Sequence, residues 1–149
     1  MSSEISDYGL TETTENYLKK IYTLSIQNKF ARVSDIAKHM DRSLSTVTGA
    51  VQRMAQEGLL NYEKYGKITL TDKGKEIAKN IHYSYSTMRE LLVVLGIPEK
   101  VAINDACAME HQISELTIET IKNFIKFTKE NQACKSIIDE YLGNLKVKS

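Results

Sequence analysis

A mainly helical fold carrying one small β-ribbon is predicted by three features of the sequence. One proline (Pro98) and seven glycines punctuate 149 residues, so most of the chain lacks the residues that break helices. Apolar residues recur at helical spacing in most segments, as do Val47, Val51 and Met54 at i, i+4 and i+7. One segment, LLNYEKYGKITLT over residues 59–71, changes to alternation and is rich in Tyr, Ile, Leu and Thr. It reads as a β-hairpin around a central YGK turn.

The elements follow in order. TETTENYLKKIYTLSIQ (11–27) carries Tyr17, Leu18, Ile21, Tyr22, Leu24 and Ile26 on a helical stripe, with Thr13 or Thr14 available as a cap and acids close by in the first turn. VSDIAKHM (33–40) is a short helix that Ser34 can cap. After DRSLS, the segment STVTGAVQRMAQEGL (45–59) is a longer helix, with Gly58 placed to stop it. Beyond the hairpin a long helix runs over 72–96, ended by Gly96 and Pro98. IPEKVAINDACAMEHQI (97–113) is a further helix. SELTIETIKNFIKFTKE (114–130) opens on part of a capping box, with Thr117 where a Glu would complete Ser114. ACKSIIDEYLGNL (133–145) is the last helix.

Composition narrows the class. With 42% hydrophobic and 26% charged residues the chain is expected to fold as a soluble globular protein, neither disordered nor membrane-spanning. No apolar run approaches the roughly 20 residues of a transmembrane helix. The polar, acidic start MSSEISDYGLTETTENY is unlike a signal peptide, so a cytoplasmic location is expected. There Cys107 and Cys134 are free thiols. Residues 31–75 hold eight Lys/Arg against five Asp/Glu, a local +3 within a whole of +1. A basic middle of this kind suits a polyanion partner.

A short helix, a turn, a longer helix and a hairpin, with little slack between them, are the order of a winged helix-turn-helix. A helix fits the major groove and its N-terminal residues reach base edges, while a wing and a neighbouring helix N-terminus bind phosphates. The candidate recognition helix begins with Ser43, Ser45, Thr46 and Thr48, small hydroxyl residues that allow close approach to the groove. Ser34, Arg42, Lys64 and Lys67 are candidate phosphate contacts, and Arg53 adds a cation further along the helix. The expected domains are a DNA-binding winged helix-turn-helix over 1–71 and a helical domain over 72–149, to which the family resemblance given below assigns dimerisation and metal sensing. The expected partners are a double-stranded, pseudo-palindromic DNA operator and a second copy of the chain.

NDACAMEHQIS (104–114) sets Cys107, Glu110 and His111 within five residues, on one face if the helix continues through them. One reading is a partial metal shell; another is a buried thiol beside ordinary polar helix residues. A nucleophilic Cys107 assisted by His111 finds no neighbouring oxyanion hole, so an enzyme is not expected. A helical interaction or metal-buffering protein is the competing class.

TTENYLKKIY, RVSDIAKHMDRSLSTVTGAVQRMAQEGLLNYEKYGKITLTDKGKEIA and NDACAMEHQIS, in that order, resemble the diphtheria toxin repressor and manganese transport regulator family. The likeness runs from about residue 11 to 130, and NYEKYGKITLT and the EH pair are its most specific parts. It implies a metal-responsive transcription factor, with length similar to the short manganese branch that lacks a C-terminal SH3-like module. In that family Fe²⁺ or Mn²⁺ binds among the N-terminal helix, the long helix after the wing and the helix carrying the EH pair. Metal binding sets the spacing of the two recognition helices. Cys107, Glu110 and His111 fall on three of the ligand positions, the Cys being the iron-branch choice. Asn16 stands where a Met or Asp is the family's rule, and Lys19 where the manganese branch has Glu. Tyr85 takes the place of a His, with His82 one turn earlier. Arg89 and Ile103 occupy second-site acid and His positions.

Those departures weaken an octahedral O/N shell, and Lys19 and Arg89 bring fixed positive charge that would instead neutralise Glu110. The resemblance thus implies a repressor of metal-homeostasis genes loaded with Fe²⁺, Mn²⁺, Zn²⁺ or Co²⁺ through Cys107, Glu110 and His111, with Asn16 and His82 as further donors. With a thiol and few anions, the set suits Zn²⁺, Co²⁺ or Fe²⁺ better than Mn²⁺. The alternative is a metal-independent or differently triggered regulator with a degenerate site.

Overall fold

Thr11, rather than Thr13 or Thr14, starts the first helix in the computed structural model, which describes residues 8–63 and 65–146. Its extended backbone (φ −76°, ψ 152°) lets its hydroxyl accept from the Thr14 N–H at 3.3 Å, three residues into α1 (Glu12–Asn28). A two-residue strand, β1 (Ala31–Arg32), follows; a strand that short carries no readable period. It places Arg32 at the N-cap of α2 (Val33–Met40), with no side-chain capping bond, so Ser34 lies inside the first turn and does not cap it.

Helix α3 (Leu44–Gln56) is capped by Ser43, whose hydroxyl accepts from the Thr46 N–H at 3.2 Å. Gly58 ends it at φ +75°, donating to Ala55 O, while Leu59 N–H donates to Met54 O. That pair of bonds closes the last turn, and the fully buried Leu59 and Met54 side chains accompany it. The chain then turns into β2 (Leu60–Tyr62) and β3 (Lys67–Leu70). The antiparallel sheet has the order β1–β3–β2, with Arg32 opposite Lys67 and Leu60 opposite Leu70.

The chain forms two compact units, one ending at His82 and the other starting at Tyr83, with α4 (Asp72–Val94) running through the boundary. In the first unit Leu18, Ile21, Ile36, Val47, Val51, Met54, Leu59 and Ile68 are fully buried in one core. At about 1.5–3 kcal/mol for each buried side chain, this core sets the rotation of α3. Val47, Ala50, Val51 and Met54 face inward, which turns Ser45, Thr46, Gly49, Gln52 and Arg53 to solvent.

The wing joins α4 through a tight junction. Thr71 Oγ1 donates to Gly58 O at 2.7 Å and accepts from the Gly74 N–H at 3.1 Å. A Cβ on Gly74 would lie 2.0 Å from the Leu59 carbonyl oxygen, a backbone atom that cannot swing aside. Gly74→Ala is therefore expected to cost about 3 kcal/mol or more, read as a lowered denaturation midpoint in urea unfolding.

The second unit holds α5 (Glu99–Met109), a 3₁₀ turn (Glu110–Gln112), α6 (Glu115–Glu130) and α7 (Gln132–Lys146). Gly96, at φ +90°, closes α4 with the same two bonds as Gly58 closes α3: Gly96 N–H to Val93 O and Ile97 N–H to Leu92 O. Met88, Ala106 and Ile118 form its small buried cluster. Of the eleven largest fully buried side chains among the described residues, Thr87, Ile118 and Ile125 lie here, and α6 leaves Leu116, Phe124 and Phe127 exposed. This unit buries little apolar surface by itself.

Glu90 ties α4 to α6 by accepting from Lys129 and, at 3.1 Å, from Lys122. The Lys129 bond, aided by Lys122, holds its pKa below the ordinary value against the opposing effect of burial. A depressed carboxyl pKa stabilises the fold above the unfolded-state value and loses that contribution as pH falls through the folded one. Wild type is therefore expected to be more stable than Glu90→Gln at neutral pH, and the gap to close as pH falls below the ordinary carboxylate range. Both lysines are well exposed, so solvent screening keeps the effect modest. Urea titrations of both proteins across acidic pH check it.

Candidate functional site

The N-terminal end of α3 is a cluster of exposed hydroxyls. Ser43 Oγ lies 2.7 Å from Thr46 Oγ1 and 3.2 Å from Ser45 Oγ. Thr48, half-buried, donates its hydroxyl to Leu44 O at 2.8 Å, which leaves its oxygen as an acceptor only. Arg42 precedes the cluster and Arg53 stands in the last turn of α3; both are exposed. The first turn holds no acidic residue, although a carboxylate there would stabilise the helix. Leu44, 59% exposed, is an apolar member of this end that hydroxyl counting passes over; such a side chain suits a thymine methyl.

The wing supplies cations. Lys67 is exposed at the start of β3, and Tyr65, 87% exposed, stands at the tip. Lys64 lies outside the described residues. Ser34 is exposed in the first turn of α2. Beside Lys67 the structure adds two residues that the sequence pattern did not single out: Arg32 and Phe30. Arg32 Cζ is 5.4 Å and Lys67 Nζ 5.3 Å from the centroid of the Phe30 ring. The basic count of the region is the only signal for Arg32 in sequence, and Phe30 has none.

The metal donors divide between the units. In the second, Cys107 is half-buried in the last turn of α5. Glu110 and His111 fall on the 3₁₀ turn and not inside an α-helix, because Ile113 must already be extended (φ −104°, ψ 128°) for Ser114 to cap α6. Glu110 is buried and its Oε1 lies 3.4 Å from His111 Nε2. In the first unit Asn16 and Lys19 are half-buried on α1, and His82 packs its ring 5.6 Å from that of Tyr22. Burial, and secondarily the Lys19 charge, lowers the His82 pKa and favours its neutral form.

Arg89 does not serve Glu110: its guanidinium pairs with Glu99, the Nε donating to Oε1 at 2.7 Å. Among the described residues no group of three or more His, Cys, Asp or Glu side chains is gathered as a metal shell.

The sequence model of the iron-dependent repressor N-terminal DNA-binding domain fits residues 9–68, and that of the iron-dependent repressor metal-binding and dimerisation domain fits residues 71–146. The chain belongs to the iron-dependent repressor family. This is a family of metal-dependent transcription regulators, and the resemblance carried by the EH pair and the wing leads to the same place. The HTH-type transcriptional regulator MntR of Bacillus subtilis (strain 168) is 35% identical over 125 residues, 84% of this chain and 88% of MntR. The structure is similar to that of T. acidophilum IdeR, with a TM-score of 0.66 and 25% identity over 74% of this chain and 53% of that one. It is equally similar to the manganese regulator SloR (TM-score 0.66, 25% identity, 76% of this chain and 54% of SloR). The chain thus spans about half the length of these two solved relatives. As in the sequence, no described helix is long and apolar enough to cross a membrane.

Proposed function

We propose that this member of the iron-dependent repressor family is a cytoplasmic DNA-binding repressor of metal-homeostasis genes that acts as a homodimer on a pseudo-palindromic operator. The observation that carries the reading is the N-terminal end of α3: exposed hydroxyls, no acid in the first turn, and an opposite face locked in the core. In this reading Ser43, Ser45, Thr46 and Thr48 face the major groove. Ser34, Arg42, Lys64 and Lys67 hold phosphates on either side, and Arg53 adds a cation. The DNA-binding domain is residues 1–71 and the dimerising domain 72–149; the two family models, which meet between residues 68 and 71, support that division. The exposed Leu116, Phe124 and Phe127 of α6 lie on the side away from the buried Ile118 and Ile125, and a second copy covers them.

Cys107, Glu110 and His111 are the donors a divalent metal would meet in the second unit; Asn16 and His82 are the donors of the first. A bound Fe²⁺, Mn²⁺, Zn²⁺ or Co²⁺ would supply charge neutralisation and cross-linking of donors, with the thiol favouring Zn²⁺, Co²⁺ or Fe²⁺. A second reading, a metal-independent regulator, is favoured by the Lys19 ammonium, which lies near enough to His82 to lower its pKa.

Titration of the four metals into metal-free protein, with calorimetry and DNA binding followed in parallel, separates the two. Tighter DNA binding with one metal, lost in Glu110→Ala, is the result expected of the metal-dependent reading. Equal affinity in chelator and in every metal replaces it with the second. A chain that takes up metal and never binds DNA would instead be a metal-buffering or interaction protein.

A further inference from the structure

We infer that Arg32 and Lys67, gathered on the ring of Phe30, form a two-cation clamp for the phosphodiester backbone of duplex DNA, next to the segment met by α3. The inference rests on the DNA-binding reading, which already gives Lys67 a phosphate, and extends it to Arg32 and to Phe30 as the seat of both cations. Arg32 and Lys67 are directly opposed in the antiparallel pairing of β1 with β3. Like charges at directly opposed positions destabilise a sheet. The Phe30 ring offsets part of that cost, since each cation lies within cation–π range of its centroid, at 5.4 and 5.3 Å. Both side chains are exposed, and among the described residues neither is ion-paired with a carboxylate.

The nearby acids are Asp35, in the first turn of α2, and Glu63, whose N–H donates to Lys67 O at 3.0 Å. Neither carboxylate is ion-paired with the two cations. A pair of unneutralised cations held side by side by an aromatic ring is a costly arrangement for stability alone. For an anion it is an advantage, because the positions are set before binding.

The chemistry of the pair selects phosphate. A planar guanidinium presents a fork that matches two phosphate oxygens, and the ammonium adds a compact point charge beside it. Arg32 is also the residue that leads into α2, whose N-terminus has no side-chain cap, and α2 packs against α3. The uncapped amides and the two cations thus lie on the same approach to the helix that enters the groove.

The test uses the full chain and a duplex from the promoter of its own gene, with affinity measured by fluorescence anisotropy over a range of salt concentrations. Arg32→Gln and Lys67→Gln are each expected to flatten the slope of log K against log salt by about 0.9, and the double variant by about 1.8. Neither substitution lowers the melting temperature, because each removes a like-charge pair. Phe30→Leu keeps both charges and hence the slope, but loses about threefold to tenfold in affinity as the cations lose their seat. If wild type binds with a salt-dependent affinity and the double variant keeps the full slope, the clamp is wrong. A lowered melting temperature with an unchanged slope makes the trio structural and overturns the clamp as well. Salt-independent or absent binding by wild type, metal-free and with each of Fe²⁺, Mn²⁺, Zn²⁺ and Co²⁺, rejects the DNA-binding reading itself.

Discussion

Thr46→Glu is expected to abolish operator binding while making the protein more stable. Ser43 caps α3 and Thr46 stands three residues later, so a glutamate there completes a capping box. The substitution also supplies the negative charge that the first turn of α3 lacks. Acids in a first turn contribute about 0.3–1 kcal/mol through the helix dipole. Thr46 is exposed, so no packing is lost; what goes is its 2.7 Å contact with Ser43 Oγ. On DNA the same carboxylate would face the groove between two phosphate strands, where like-charge juxtaposition costs several kcal/mol. Affinity is expected to fall by about 100-fold or more, against a melting temperature equal to or above wild type. Opposite signs in the two measurements distinguish a contact surface from a merely capped surface helix. A variant that binds DNA normally would move the recognition surface elsewhere.

The second large effect concerns assembly. Phe124→Glu and Phe127→Glu should convert the dimer to monomer with each protomer still folded. Both rings are more than half exposed and neither belongs to the buried cluster of the second unit, so the protomer is expected to keep its fold. Buried aromatic anchors at interfaces are commonly worth about 2 kcal/mol or more each, about 30-fold in dimer dissociation constant for each ring. Sedimentation velocity reads the change directly, and circular dichroism shows that helix content stays. Operator affinity should fall with it, since a monomer holds one half-site only. A variant carrying both substitutions that remained dimeric would place the interface on another face.

Much of the fold was legible because short-range rules decided it. The bounds of α2 came directly from VSDIAKHM, and Gly58 and Gly96 marked two helix ends that both proved to be left-handed glycine caps. The wing announced itself by its change of period. What stayed hidden depends on partners distant in sequence. Phe30 and Arg32 gain meaning only when β1 pairs with β3, and a two-residue strand has no pattern of its own. Arg89 looked free to neutralise Glu110, yet its partner is Glu99, across the turn that Gly96 and Pro98 make. The 3₁₀ turn at Glu110 and His111 follows from the demand of Ser114 for an extended neighbour, a constraint set by the next helix and not by the spacing of the donors. Residue types located the candidate metal donors; their geometry was not in the spacing.

One measurement bears most directly on the claim that this chain reads DNA through α3 and its wing. The affinity of this chain for a duplex from its own promoter, and for the same duplex with scrambled sequence, is followed from low to near-physiological salt, metal-free and with each of Fe²⁺, Mn²⁺, Zn²⁺ and Co²⁺. The expected result is a steep fall in log K with log salt for both duplexes, with a slope of several units, and a preference for the promoter of about 1,000-fold or more. Weak binding that ignores salt and does not distinguish the two duplexes would contradict it.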